Sequence, residues 1–516
     1  MAGNRQMAKA AGFIMGTMIL SRLLGYLRDL VIYANFGQSR LTDAYHAAFS
    51  IPDFLYMLLV GGALSSAFIP VFSGLLAREK EEQAWEVASI VLNWILIGLL
   101  LGTVTGWFFT PQLIRLLVPG FAEESLGLTV YMARIMLLQV ILLSVSGLIT
   151  GVLHAHKRFH PPALGSVLYN LGIIAFGYWL SRSMGIAGFA VGVVVGALLH
   201  LLIQLPALAG VKPRYRLSWD LHHPEVGQLL KLFLPVLLGL AVMQFNVFIT
   251  QHMASGLDGG LLTALQTGHR LMQLPVGVFA VAISVAVFPT LAEHAAKDDV
   301  TALGRDTSLG LRFIIFLALP ATVGLVVLRV PLVRLLLQVG EFTARHTEAT
   351  AQALLYYCLG ICAYGAVQLL SRAFYALRDT ATPVVVGMLA VGLNLAGSWY
   401  LKGPLGHGGL ALAYSLAGIF HGVTLYWILQ GKLQDNSLGI ILSFCKSLLA
   451  SLVMGVVVHV TALGGETWFD VTGKTGQLLQ VSLAALSGGL VYGWLARVLE
   501  MEEMMLIRRL WRQKFS

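Results

Sequence analysis

Arg22, Arg28 and Asp29 stand inside an otherwise apolar run, AGFIMGTMILSRLLGYLRDLVIYANF at residues 11–36. On insertion scales a charge at the middle of a membrane helix costs roughly 2.5–3.5 kcal/mol, whereas each Leu or Ile returns only about 0.3–0.6. A helix carrying three such groups must turn them toward protein, a water-filled cavity or a charged substrate. Arg22 and Asp29 share a helix face, about 10 Å apart along the axis. Arg28 points about 100° away from Asp29, so the two neighbours are not expected to pair. Their partners should come from other helices or from substrate, and Gly25 permits a bend or close helix contact between them.

A fourth cation, Arg270, lies in GHRLMQLPVGVFAVAISVAVFP (268–289), shortly before Pro275. Guanidinium forks hold phosphate oxygens bidentately, so arginines from two helices would suit a diphosphate. The alternative for Arg270 is snorkelling to the surface, and Arg134 reads as an interface anchor. Thr42 and Asp43 open the second apolar run, either capping it or serving the same polar site. Asp53 follows Pro52, where the freed backbone of a kink lines a cavity. Gly61, Gly62, Ser65 and Ser66 form a small-residue packing face. Gln244, Asn246, Thr250, Gln251 and His252 make a polar stripe in another run, read chiefly as cross-helix hydrogen bonding. His154, His156 and His160 cluster in a basic turn and are expected to be solvated rather than metal-bound. Walker A, HExxH, GxSxG and Cys/His metal spacings do not occur, so neither enzyme chemistry nor a metal site is expected. Any energy would come from an ion gradient, the membrane potential or substrate flux.

The chain that must position these groups has 516 residues, 57% hydrophobic and 11% charged. Soluble proteins carry about 25% charged residues, so the class is an all-α polytopic membrane protein. The net charge of +9 is explained by basic cytoplasmic loops, without nucleic acid. The first run is too long for a cleaved signal peptide and lacks a small-residue cleavage site. Cys358, Cys362 and Cys445 all fall in apolar segments and read as core filler.

Fourteen runs are long enough to cross about 30 Å of hydrocarbon: 8–34, 44–75, 84–110, 126–153, 162–182, 185–209, 228–252, 261–292, 307–329, 349–376, 382–401, 408–430, 438–462 and 476–499. Lys and Arg then place both termini in the cytoplasm, with HAHKRFH (154–160), KPRYR (212–216) and RRLWRQK (508–514) inside. The sequence also repeats itself. Pro70 recurs as Pro289, Arg115 as Arg334, Pro162 as Pro383, and GIAGFA (185–190) as GHGGLA (406–411), at offsets of 219, 219, 221 and 221. Helices 1–6 (residues 1–210) and 7–12 (225–431) therefore read as parallel six-helix lobes. Two further helices (438–500) and a basic tail (501–516) follow. Such repeats place substrate between them and move by rocking, which favours alternating access over a channel.

The combination SRxxGxxRD, TDA, AFxxP, GGAxSxAFIP, HRLMQLPxGVFxVAISxAVFP and RDTxTPV resembles the MurJ (MviN) family of lipid II flippases. That family lies within the multidrug/oligosaccharidyl-lipid/polysaccharide exporter superfamily. The resemblance covers essentially residues 10–430 and extends to fourteen helices. It implies transfer of undecaprenyl-diphosphate-linked peptidoglycan precursor across the bacterial cytoplasmic membrane, with cell-wall synthesis proteins as neighbours. It assigns Arg22, Arg28 and Arg270 to a cationic cavity for diphosphate and sugar, with Asp29 and Asp43 as family acids, and the last two helices to a lipid-tail groove. Tyr56, Met57 and Gly61 depart from charged family positions in helix 2, which lowers the positive charge of the first lobe. A family sodium site has no clear counterpart; Asn394 and Thr250 are the nearest polar groups, so a coupling cation is left unidentified. The alternatives are a flippase for another polyprenyl-linked glycan, an exporter of cationic drugs, which should prefer an acidic cavity, and a static scaffold, which would show closed salt bridges.

Overall fold

The computed structural model describes residues 2–59, 63–220, 222–433 and 438–515, and every regular element among them is helical. Among the described residues, ten helices are long and apolar enough to cross a membrane, or eleven if one bent pair is counted as a single span. Among the described residues the fourteen apolar runs fall on helices, and four of them, 44–75, 185–209, 261–292 and 349–376, are divided between successive elements. The chain divides into two compact units, Met1–Gly260 with Val339–Glu341, and Leu261–Gln338 with Phe342–Ser516.

The first unit contains α1 (Ala2–Phe36), α2 (Arg40–Ala48), α3 (Ser50–Leu59), α4 (Ala63–Ala77), α5 (Glu81–Leu117), α6 (Glu123–Ala155), α7 (His160–Met184), α8 (Ala187–Leu202), α9 (Leu205–Ala209) and α10 (Pro224–Ala254). The run expected at 44–75 breaks after Ala48. Pro52 has no N–H for the Ala48 carbonyl four residues earlier, so the helical ladder loses a rung there. Phe68, Phe72 and Leu75 of α4 pack with Trp85 and Ile90 of α5 and Leu148 of α6 to form a buried core. The hairpin α7–α8 packs backbone to backbone. A Cβ at Gly196 would lie 2.4 Å from the Tyr169 carbonyl oxygen, and one at Gly192 would lie 2.8 Å from the Gly177 nitrogen. Close approach through small residues is the usual packing of helices in lipid, where no hydrophobic effect drives them together.

The second unit contains α11 (Leu261–Pro275), a π-helical turn (Val276–Ala280), α12 (Val281–Ala296), α13 (Val300–Leu337), α14 (Ala344–Cys358), α15 (Ile361–Ala376), α16 (Ala381–Leu405), α17 (His407–Leu433), α18 (Leu438–Trp468), α19 (Lys474–Val498) and α20 (Glu502–Phe515). Pro275 removes the donor for the Leu271 carbonyl and is followed directly by the π turn. The run expected at 349–376 bends by 46° between α14 and α15. There the Ser415 hydroxyl of α17 donates to the Tyr356 and Tyr357 carbonyls at 2.7 and 3.2 Å. It satisfies backbone groups that the bend frees, as a break within a membrane requires.

The left-handed backbone positions recur at the spacing of the sequence repeat. Glu79 and Asp298 (φ 59° and 54°) are 219 apart; Lys157 and Arg378 (58° and 60°), and Gly185 and Gly406 (58° and 56°), are each 221 apart. Gly185 and Gly406 end α7 and α16, where a residue lacking Cβ takes the left-handed turn without strain. On α16, α17 and α19, Trp399, Tyr400, Trp427, Leu490 and Trp494 are 61–84% exposed, an apolar surface suited to lipid.

The turn between α15 and α16 is tied by Asp379. Its carboxylate accepts from Lys432 Nζ at 2.6 Å, Thr382 Oγ1 at 2.7 Å and the Thr382 N–H at 3.0 Å. The Lys432 bond first, then the Thr382 backbone, pull its pKa down to about 2. Because the folded value lies below the unfolded one of about 3.9, the turn's contribution is complete above about pH 4. It is lost as the pH falls through about 2. Thermal unfolding of Asp379→Asn should therefore differ from wild type at pH 7, with the gap closing as the pH falls below 4. A gap independent of pH would show that the carboxylate charge contributes nothing.

Candidate functional site

Arg28 and Asp29 lie toward the C-terminal part of α1, with side chains only 17% and 14% exposed. They pair with each other, contrary to the expectation from their helical angle. Arg28 Nε and Nη2 donate to Asp29 Oδ1 at 3.0 and 2.9 Å. The long arginine stem folds back around the helix, and low-dielectric surroundings reward the contact more than water would. Arg28 Nη1 reaches Asn170 Oδ1 of α7 at 3.5 Å. Asn170 Nδ2 in turn donates to the Ser166 and Ser21 carbonyls at 3.1 and 3.3 Å, and Ser21 Oγ donates to Ser166 O at 3.2 Å. Small Ser21 and Gly25 let α1 lie against Asn170, whose Oδ1 would be 3.6 Å from a Cβ at Gly25. Arg22, two turns earlier, is exposed and makes no hydrogen bond or ion pair among the described residues.

A second polar region joins α2, α10 and the segments beside them. Thr42 takes part in the cap, as expected, its Oγ1 accepting from the Ser39 N–H at 2.9 Å. Asp43, buried at 4% exposure, accepts from the Gly260 N–H at 2.6 Å. Gly260 has φ +92°, and a Cβ there would lie 2.4 Å from the Gln38 carbonyl. Ser50 Oγ donates to Gln251 Oε1 at 2.6 Å, His252 Nδ1 lies 2.9 Å from Leu116 O, and the Gly120 N–H donates to Ser255 Oγ at 3.1 Å. The Glu341 N–H donates to Ala34 O at 2.9 Å. Of the polar stripe, Gln251 and His252 thus bond across helices, whereas Thr250 turns back to the Asn246 carbonyl. Asp53 is exposed on α3.

In the second unit Arg270 is partly buried on α11, one residue from His269. His269 Nε2 lies 3.1 Å from the Tyr414 hydroxyl and 3.4 Å from Gln273 Nε2, and its ring meets those of Tyr357 and Tyr414 edge-on. This cluster escaped sequence reading, although the His–Arg dipeptide before a proline signalled it. Asn394 and Ser398 are buried together on α16, Ser398 Oγ 3.4 Å from Asn394 Oδ1.

The three histidines of the basic turn part company. His156 stacks near Trp85 (6.1 Å), His160 near Phe13 (4.3 Å) and His154 near Phe159 (5.2 Å). Among the described residues no group of three acidic, His or Cys side chains is arranged to hold a metal. Arg134 lies over the Trp107 ring at 4.3 Å and donates to the Trp107 carbonyl, the geometry of an interface anchor. Tyr56 packs partly buried against the α4–α5–α6 core. Gly61 and Gly62, and the side chains of Ser65 and Ser66, lie outside the described residues.

Residues 32–479 match the family model described as lipid II flippase MurJ. The chain is 28% identical to the probable lipid II flippase MurJ of Buchnera aphidicola, covering 93% of this chain and 95% of the relative. It is 30% identical to that of Thermotoga maritima, covering 96% and 97%. A solved structure of lipid II flippase MurJ in an inward closed conformation superposes with a TM-score of 0.78 at 26% identity, over 94% of this chain and 99% of that one. An inward-facing multidrug resistance MATE transporter of the MOP superfamily shares the fold, with a TM-score of 0.68 at 17% identity, over 79% of this chain and 94% of that one. The chain belongs to the lipid II flippase MurJ family.

Proposed function

We propose that the protein moves lipid II, or a closely related polyprenyl-diphosphate glycolipid, across the bacterial cytoplasmic membrane by alternating access, with both termini in the cytoplasm. The observation that carries this reading is Arg28, held inside an apolar span with only part of its donor set engaged. Of its five N–H groups, three are used by Asp29 and Asn170 among the described residues. A diphosphate can engage the remainder and compete for those given to Asp29. Arg22 and Arg270 would add positive charge, and Asp29 would take the Arg28 guanidinium back once substrate leaves. Asp53 would border the headgroup path.

By the sequence repeat, residues 1–210 and 225–431 are two homologous lobes, with 438–500 appended as a surface for the lipid tail. On this reading α10 and the turn after it belong to the second lobe, and the bonds of α10 to α3 and α5 and of Gly260 to α2 are the ones that opening must break. Asp43–Gly260 and Ser50–Gln251 are then latches. A short thiol-cleavable linker joining Ser50→Cys to Gln251→Cys, with the natural cysteines replaced, should stop lipid II transfer, and reduction should restore it. Transfer at an undiminished rate in the linked protein would rule this motion out.

The Arg28–Asp29 pair also favours a second reading, a static strut within a scaffold for cell-wall synthesis proteins.

A further inference from the structure

Among the described residues, the contacts that hold the last helix, α20, lie at its start. Span α19 ends at Val498, Glu500 takes a left-handed conformation (φ 48°), and the Met501 N–H closes the turn onto Ala496 O at 3.0 Å. Met501 is buried in the α13–α18–α19 core, with Met504 against it. The Glu503 carboxylate, 2% exposed, accepts from Arg312 Nε at 2.7 Å and Ser443 Oγ at 3.0 Å, while Arg312 Nη2 reaches Glu502 at 2.9 Å. Among the described residues α20 makes no ion pair or side-chain hydrogen bond beyond Glu503, and Arg508 and Arg509 are exposed. The sequence from 504 onward, MMLIRRLWRQKFS, holds four basic residues and no acid, and Met504, Ile507, Trp511 and Phe515 recur at helical spacing.

We infer that α20 is an interfacial helix that binds the anionic phospholipids of the leaflet at which the chain ends. A helix that begins directly at the end of a span starts at membrane-surface depth. A purely solvated tail would not require the buried Arg312–Glu503 ion pair to fix its origin. Apolar residues at helical spacing among uncompensated basic ones are the pattern of helices that lie in the headgroup region, and anionic lipid is the complementary surface. The buried clamp sets where the helix starts, and the lipid charge holds the rest down. The inference rests on the membrane reading and orientation above, not on the identity of the transported lipid.

The test places a nitroxide at Leu510→Cys, with the natural cysteines replaced, in nanodiscs of phosphatidylcholine with and without phosphatidylglycerol. Collision with an aqueous nickel complex reports how far the label stands in water. With phosphatidylglycerol the label should be shielded; in phosphatidylcholine alone it should be exposed. Each basic group near an anionic surface multiplies the docked-to-free ratio by roughly five, so Arg508→Gln/Arg509→Gln should lower it about 25-fold in the anionic discs. Both side chains are exposed, so this variant should melt with wild type. Equal nickel collision with and without phosphatidylglycerol, in protein of wild-type melting temperature, would overturn the inference. No lipid II is present, so this result and the transport result stand or fall separately.

Discussion

Arg28→Ala should abolish lipid II transfer while leaving the folded protein in the membrane. A charge-assisted hydrogen bond contributes about 1.5–3 kcal/mol. Losing even one contact to a diphosphate lowers affinity roughly 10- to 150-fold, and a fork makes two. The substitution also takes the two Arg28 bonds from the Asp29 carboxylate, so it costs some stability as well, and transfer is compared at equal amounts of folded protein in the membrane. Arg28→Lys should be intermediate, because an ammonium keeps the charge but not the planar fork. The informative variant is Arg28→Met with Asp29→Leu. Replacing a buried ion pair by apolar residues of similar size is often neutral for stability. A strut would therefore survive the exchange with its function intact, whereas an anion site would be dead. Transfer rates measured beside melting temperatures separate the two.

Arg312→Ala should be the most destabilising single change in the second unit, by about 3–5 kcal/mol, because it strands a buried carboxylate. Among the described residues Glu503 would keep only the Ser443 hydroxyl at 3.0 Å, and a hydroxyl cannot offset a full charge away from water. The chain would either protonate Glu503 or pull α20 off α13 and α18. Thermal unfolding should show a large drop for Arg312→Ala, most of it recovered by adding Glu503→Leu, which removes the stranded charge. If the single variant melts with wild type, the pair holds nothing in place.

Much of this was legible in the residues. Apolar runs of span length with charges confined to a few positions fixed the class, since no soluble core uses so little charge. The repeat was readable from prolines and glycines, the residues whose backbone demands vary least with context, and the left-handed turns recur at the same offsets. Long-range pairing was not readable. That Asp43 reaches a backbone N–H at Gly260, or that Asn170 joins α1 to α7, depends on contacts between segments far apart in sequence, which periodicity does not encode. The Arg28–Asp29 pair was missed because a helical wheel treats side chains as rigid spokes, and an arginine stem is long enough to cross the angle between neighbours. The breaks at Pro52 and Pro275 follow from missing donors. The bend after Cys358 has no proline and rests on the Ser415 hydroxyl, a group on another helix.

The most direct measurement is lipid II translocation in cells depleted of their own flippase and supplied with this protein. Its readout is the fraction of lipid II cleaved by a toxin that acts only at the outer leaflet. The account predicts restored cleavage with the wild-type chain and none with Arg28→Ala present in the membrane at equal amount. No cleavage with the folded wild-type protein, or equal cleavage with both, would contradict it.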